Sequence, residues 1–129
     1  VIAVDTSAIV AILWDEPESK RFRARLGAED GAVISAGNVL ELELVLARTQ
    51  ASGGSDVLEA MFDAYRIAVR PFDLEQLALA RDAGIRYGKG RHRAALNFGD
   101  CFAYALARSE GLALLCKGND FALTDIAVA

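Results

Sequence analysis

Four acidic residues stand out by their surroundings: Asp5 in "VIAVDTSAIVAIL", Glu41 in "GNVLELELVLARTQ", Asp100 in "NFGDCFAYALA" and Asp120 in "LLCKGNDFALTDI". Asp5 interrupts an apolar run, where even a neutral polar group without a partner costs roughly 2–7 kcal/mol. Glu41 has Val39, Leu40, Leu42 and Leu44 around it, and Leu44 and Val45 three and four positions on, so its helix supplies no basic partner. Nearby Glu43 serves as the control and is read as facing solvent. Carboxylates brought together repel, by about 4 kcal/mol for a pair 4 Å apart at an effective dielectric near 20. Such a cluster needs protons or cations, and an all-oxygen donor set suits Mg²⁺, with Mn²⁺ as the alternative. A cation held this way lowers the pKa of bound water and stabilises charge on a phosphate under transfer. Each acid also has an ordinary reading: Asp5 as a turn residue, Asp100 as a helix cap, Asp120 as a loop residue.

The elements that must position these residues alternate between short apolar runs and helical stretches. "VIAV" (1–4) reads as a strand covered on both faces, and "AVIS" (32–35), "IAVRPF" (67–72), stopped near Pro71, and "LALLC" (112–116) read as further strands, with "IAVA" (126–129) as a candidate last one. Between them the pattern predicts a helix opened by Thr6 or Ser7 and a second over 17–28 behind Pro17. Further helices follow at 37–50, capped by Asn38, at 56–66 beyond "SGGS", and at 74–88. The last, 100–111, is capped by Asp100 and ended by Gly111. This alternation is an α/β sandwich with a mostly parallel central sheet. Ligands of such sheets collect outside the carboxyl ends of the strands, where Asp5 and the residues after "LLC" fall.

The totals narrow the function. A chain of 129 residues with 53% hydrophobic and 25% charged residues suits one domain with its own core. A net charge of −4 gives no whole-surface attraction to nucleic acid, so any such binding needs a local basic patch. His92 is the only histidine, which excludes paired-histidine catalysis. With Cys101 and Cys116 the only cysteines, an ordinary Cys/His zinc site is excluded and buried free thiols are expected. No apolar run reaches the length of a membrane span, and "VIAV" has no basic flank of a secretory signal, so the expected compartment is the cytoplasm.

Taken in order, "VDTSAIVAIL", "NVLELE", "NFGDCFAYALA" and "LLCKGNDFALTDI" resemble the four acid-bearing segments of PIN-domain nucleases, specifically the VapC-type toxins of type II toxin–antitoxin modules. The resemblance implies a three-layer α/β/α sandwich, a single domain over 1–129, and a Mg²⁺-dependent endoribonuclease. It also implies a homodimer, neutralised by a VapB-type antitoxin encoded beside it. Carried over residue by residue, it makes Asp5 and Asp100 the principal metal ligands, Glu41 and Asp120 their helpers, and Ser7, with Thr6 beside it, a support for the site. The departure is in the last segment. Many members carry their last acid two residues after the Thr of "L-L-T", and here those positions are Gly118 and Cys116. Asp120 is the substitute, with Asp125 as the second candidate.

"RYGKGRHR" gathers Arg86, Lys89, Arg91 and Arg93 just before the third acid. These could hold RNA phosphates, with Tyr87 or His92 stacking on a base, or form a solvated loop that pairs with acids of its own chain. Trp14, Phe22, Leu26, Met61, Phe62 and Tyr65 could line an antitoxin groove, although core packing is the better expectation for each singly. Three rivals remain. A receiver domain would find its late lysine in Lys117 but lacks a mid-chain Asp closing a strand, apart from Asp73. A D-x-D phosphatase fails at Ser7. A catalytically inactive PIN-like interaction module would have no need of the carboxylate set.

Overall fold

The computed structural model describes residues 1–49 and 54–129. The elements run β1 (Ile2–Val4), α1 (Thr6–Leu13), α2 (Ser19–Gly27), β2 (Ala32–Ser35), α3 (Ala36–Thr49) and α4 (Gly54–Tyr65). They continue with β3 (Ile67–Arg70), α5 (Leu74–Tyr87), α6 (Phe98–Glu110), β4 (Leu114–Leu115) and a 3₁₀ turn at Phe121–Leu123. The sheet is parallel throughout, in the order β3-β2-β1-β4. Every residue of β1 and β2 is buried, as the unbroken apolar runs require of strands covered on both faces. Alternate side chains feed two cores. Ile2, Val4, Ala32 and Ile34 join residues of α1 to α4, whereas Ala3 and Val33 join those of α5 and α6. The result is the expected three-layer α/β/α sandwich.

The strand order decides where a site belongs. From β1 the chain steps to β2 and β3 on one side, and β4 then lands on the other side of β1. The carboxyl ends of β1 and β4 therefore flank the point where the winding reverses, the usual crevice of open α/β sheets. Asp5 follows β1 and Lys117 follows Cys116 at the end of β4.

Several element boundaries differ from the sequence expectation, each for a local reason. Asp5, not Thr6 or Ser7, caps α1, its side chain accepting from the Ser7 N–H. Asn97, not Asp100, caps α6; Asp100 sits at the third helical position and completes a capping box. Asn38 lies inside α3 and is fully buried, while Ser35 Oγ accepts from the Gly37 N–H at that helix start. The second helix begins at Ser19, two residues past Pro17. Segment 126–129 makes a single bridge, Leu114 with Val128, rather than a strand. Of the "SGGS" break, residues 52 and 53 lie outside the described residues, and α4 already begins at Gly54.

Of the six residues that could line an antitoxin groove, most pack in the core, the better expectation for each singly. Phe22, Leu26 and Met61 belong to the core, with Phe22 at 0% exposure, because α2 and α4 turn these faces onto the sheet. Phe62 and Tyr65 pack against the same core, and only Trp14 of the six stands well exposed. Phe22→Ala should therefore destabilise the fold by about 3–5 kcal/mol in urea unfolding. A loss within ~0.5 kcal/mol, as for a surface site, would return Phe22 to the surface.

Candidate active site

Asp5 is 4% exposed and has no cation beside it among the described residues. Its Oδ2 accepts two hydrogen bonds from Ser7, one from the N–H at 3.0 Å and one from the hydroxyl at 2.6 Å. The Ser7 hydroxyl in turn accepts from the Lys117 N–H at 2.9 Å, so one oxygen ties the end of β1 to the end of β4. Gly118, with φ +88°, then turns the chain away from the cleft in a conformation that favours glycine.

Glu41 arrives from α3. Its Oε1 accepts from Thr6 Oγ1 at 2.5 Å and from Asn38 Nδ2 at 3.3 Å. The same Asn38 amide donates to Gly99 O at 2.9 Å, joining α3 to the start of α6. Gly99 leaves room for that carboxylate: a Cβ on it would fall 2.3 Å from Glu41 Oε2 and push the Glu41 side chain aside. Asp100 is held by the Asn97 N–H, which donates to its Oδ2 at 2.9 Å, so Asn97 both caps the helix and orients the acid. Asp5, Glu41 and Asp100 line one cleft of about 300 Å³ with Thr6, Ser7, Val10, Glu16, Asn97 and Lys117.

The electrostatics follow first from burial and then from like charge. Burial pushes the Asp5 carboxyl up, against the Ser7 hydrogen bonds, and Glu41 pushes it further. Burial raises Asp100 to about 6, with repulsion from Asp5, Asp120 and Glu41 added and the Asn97 N–H opposing. Cys116 is pushed up to about 12 by burial and by Asp5, Asp100 and Asp120.

Asp120 is exposed and lies outside the residues that line the cleft, acting on Asp100 and Cys116 through its charge. Asp125 is engaged elsewhere: it accepts from Tyr104 Oη at 2.6 Å and pairs with Arg108 at 3.3 Å and Arg86 at 3.7 Å. The basic loop divides in the same way. Arg86 bonds Asp82 and Tyr87 Oη and lies over the Tyr87 ring, so it serves its own chain. Tyr87 is buried and unavailable to a base, with His92 edge-on against it. Lys89, Arg91 and Arg93 are exposed and make no ion pair among the described residues.

The donor chemistry fits a hard divalent cation. The cleft acids offer oxygen alone, and none of Asp5, Glu41 and Asp100 is neutralised by a basic side chain among the described residues. As they stand, no three ligating side chains among the described residues converge tightly enough to hold an ion by themselves. This fits a Mg²⁺ held by one or two carboxylates and its own waters rather than by a closed protein cage.

The family model for the PIN domain matches residues 2–127. The chain belongs to the PIN-domain family, in its VapC branch. A ribonuclease VapC of Mycolicibacterium smegmatis is 41% identical over 126 residues, 98% of each chain. Among solved structures, the fold resembles that of Mycobacterium tuberculosis VapC20, described as a sarcin–ricin-loop-cleaving toxin. The TM-score is 0.79 and the identity 16%, over 100% of this chain and 98% of that one. It also resembles a chain of VapBC2 from Rickettsia felis bound to a fragment of promoter DNA. There the TM-score is 0.78 and the identity 14%, over 99% and 96% of the two chains.

Sequence reasoning passed over three members of this site. Asn38 was expected as a cap, although its spacing of three from Glu41 already puts both on one helix face. Gly99 and Glu16 carry no chemical signature of their own; only the approach of α3 to α6 and the turn after α1 reveal them.

The raised acids make a signed prediction. A carboxyl whose folded pKa exceeds its unfolded value keeps its proton longer in the folded state, so stability falls as pH rises between the two. For Asp100 that window runs from 3.8 to about 6. In chelator, the melting temperature should fall across this window by circular dichroism, and Asp100→Asn should flatten the fall. A variant curve parallel to wild type would contradict the raised carboxyl that burial and like charge give this residue.

Proposed function

We propose that this protein is a divalent-metal-dependent endoribonuclease toxin acting as one PIN domain, restrained by a cognate VapB-type antitoxin. The single observation that carries the reading is the one cleft lined by Asp5, Glu41 and Asp100, none of them paired with a basic side chain among the described residues. The relatives' printed names add ribonuclease activity, and a toxin–antitoxin complex from Klebsiella pneumoniae that holds a similar fold supports the antitoxin. Asp5 and Asp100 are the principal ligands and Glu41 assists. Asp120 is the fourth acid in preference to Asp125, because its charge reaches Asp100 and Asp125 is paired elsewhere.

A bound Mg²⁺, or Mn²⁺, would supply an acidified water and charge stabilisation at the phosphoryl group. The chain supplies the rest. Ser7 fixes the direction of Asp5, Thr6 and Asn38 fix Glu41, and Asn97 fixes Asp100. These contacts hold the acids against their repulsion, so little reorganisation is left to the moment of reaction. Water attacks phosphorus, the bond to the 3′ oxygen breaks, and that oxygen takes a proton. The products carry a 5′-phosphate and a 3′-hydroxyl.

Lys89, Arg91 and Arg93 are the part of the basic loop open to RNA phosphates; Arg86 contributes by holding the loop to Asp82 and Asp125. A second copy of the chain finds an apolar face where exposed Leu40, Leu44 and Phe98 line one surface with Phe102, which supports the homodimer. An RNA substrate and free cysteines go with a cytoplasmic site of action. No helix among the described residues is long and apolar enough to cross a membrane.

Asp5→Asn and Asp100→Asn keep shape and remove a charged ligand, and Asp100→Asn leaves the Asn97 cap in place. Each should lower single-turnover RNA cleavage by at least about a hundredfold, the scale seen when supports of a metal site are removed, with an unchanged far-UV spectrum. Wild-type ends should be 5′-phosphate and 3′-hydroxyl. Full activity in either variant, or a 2′,3′-cyclic phosphate, would overturn the reading, and activity absent from wild type in Mg²⁺ and Mn²⁺ would favour the inactive interaction module.

A further inference from the structure

Among the residues that line the acidic cleft, Lys117 is the one cationic side chain. Its two ends are held differently. At the base, its N–H donates to Ser7 Oγ, the same hydroxyl that steers Asp5. At the tip, Nζ donates to Glu16 Oε1 at 3.1 Å and lies 3.4 Å from Glu18 Oε2, in the turn between α1 and α2. The second contact is loose: Glu18 Oε2 is buried and accepts no hydrogen bond. The side chains are 39%, 29% and 27% exposed, so water screens this clamp. The ammonium is therefore anchored at the mouth of the cleft and parked on acids that take no part in the proposed chemistry.

We propose that Lys117 is a substrate-binding residue whose ammonium exchanges Glu16 and Glu18 for a non-bridging phosphate oxygen of the RNA backbone. This rests on the ribonuclease reading of the cleft. A phosphodiester entering there meets Asp5, Glu16, Glu41 and Asp100, and the positive charge lining the same walls is Lys117. An ammonium is a compact charge with three donors on a flexible stem, suited to trading one anion for another. The other basic candidates do not do this. Arg86 is bound to Asp82 and Asp125, and Lys89, Arg91 and Arg93 are not among the residues lining the cleft. Glu16 and Glu18 then act as a competitor that holds Lys117 away from the three ligating acids until a phosphate arrives.

The test is RNA binding in Ca²⁺ across a salt series, with the wild type, Lys117→Met, Lys117→Arg, the pair Glu16→Gln/Glu18→Gln, and the triple variant. Lys117→Met should weaken binding on the order of tenfold and reduce the log–log salt slope by about 0.7, the loss of one single-strand phosphate contact. Lys117→Arg should keep most of the affinity. The glutamine pair should bind several-fold tighter, and that gain should vanish once Lys117→Met is added, because it passes through the lysine. A gain of equal size with and without the lysine is plain relief of negative charge and overturns the exchange. Wild-type affinity and slope in Lys117→Met, with only a lower Tm, make the clamp structural and overturn it too. A wild type that binds no RNA takes down the ribonuclease reading itself and this inference with it. The glutamine pair retains Lys117, so even where Lys117→Met folds poorly, RNA affinity in the pair no tighter than wild type overturns the exchange.

Discussion

An aspartate buried to 4% exposure, with a serine as its hydrogen-bond donor and acids as its neighbours, is the constraint around which this molecule is arranged. Asp5 closes β1 and caps α1, so it cannot withdraw without loosening both. Its position at the reversal of the sheet brings β4 beside it, and Ser7 stitches the two strand ends together through the Lys117 N–H. Glu41 and Asp100 come from helices on opposite layers of the sandwich, α3 packing with one core and α6 with the other. The fold thus brings groups that repel into one cleft from three separate elements.

Holding them close demands unusual packing between α3 and α6. Gly37 and Gly99 are the points of closest approach: a Cβ at Gly37 would fall 2.5 Å from the Phe102 ring, and one at Gly99 would collide with Glu41. Asn38 bridges the same junction and leaves its Oδ1 buried without a donor. Asn38 and Gly99 serve the placement of Glu41 directly, and Gly37 makes room for the Phe102 ring beside it. The raised carboxyl of Asp100 records the same tension electrostatically, and a cation is what would relieve it.

The sequence carried the layer architecture well because it is written in local pattern. "VIAV" and "AVIS" are too short and too apolar to be anything but covered parallel strands, and Gly111 ends α6 in the left-handed conformation that glycine adopts freely. The caps were less legible, since Asp, Asn, Ser and Thr compete for the same position. Asn97 and Asp100 form a reciprocal box in which either looks like the cap. The gathering of Asp5, Glu41 and Asp100 was readable from apolar context and strand ends. The engagement of Asp125 was not, because Arg86, Tyr104 and Arg108 reach it only through the tertiary fold. The same holds for Phe22, Leu26 and Met61, whose types suit a groove and a core equally until α2 and α4 are laid on the sheet.

Thermal unfolding with and without Mg²⁺ at neutral pH tests the central claim most directly, namely that these carboxylates are crowded for the sake of a cation. A cation bound to the folded state at about a hundred times its Kd stabilises by ~2.7 kcal/mol, a rise in Tm on the order of 10 °C for a domain of this size. The variant with Asn at 5, 100 and 120 and Gln at 41 should melt higher than wild type in chelator and show no response to Mg²⁺. A wild-type Tm indifferent to millimolar Mg²⁺ and Mn²⁺, or an equal rise in the quadruple variant, would contradict it.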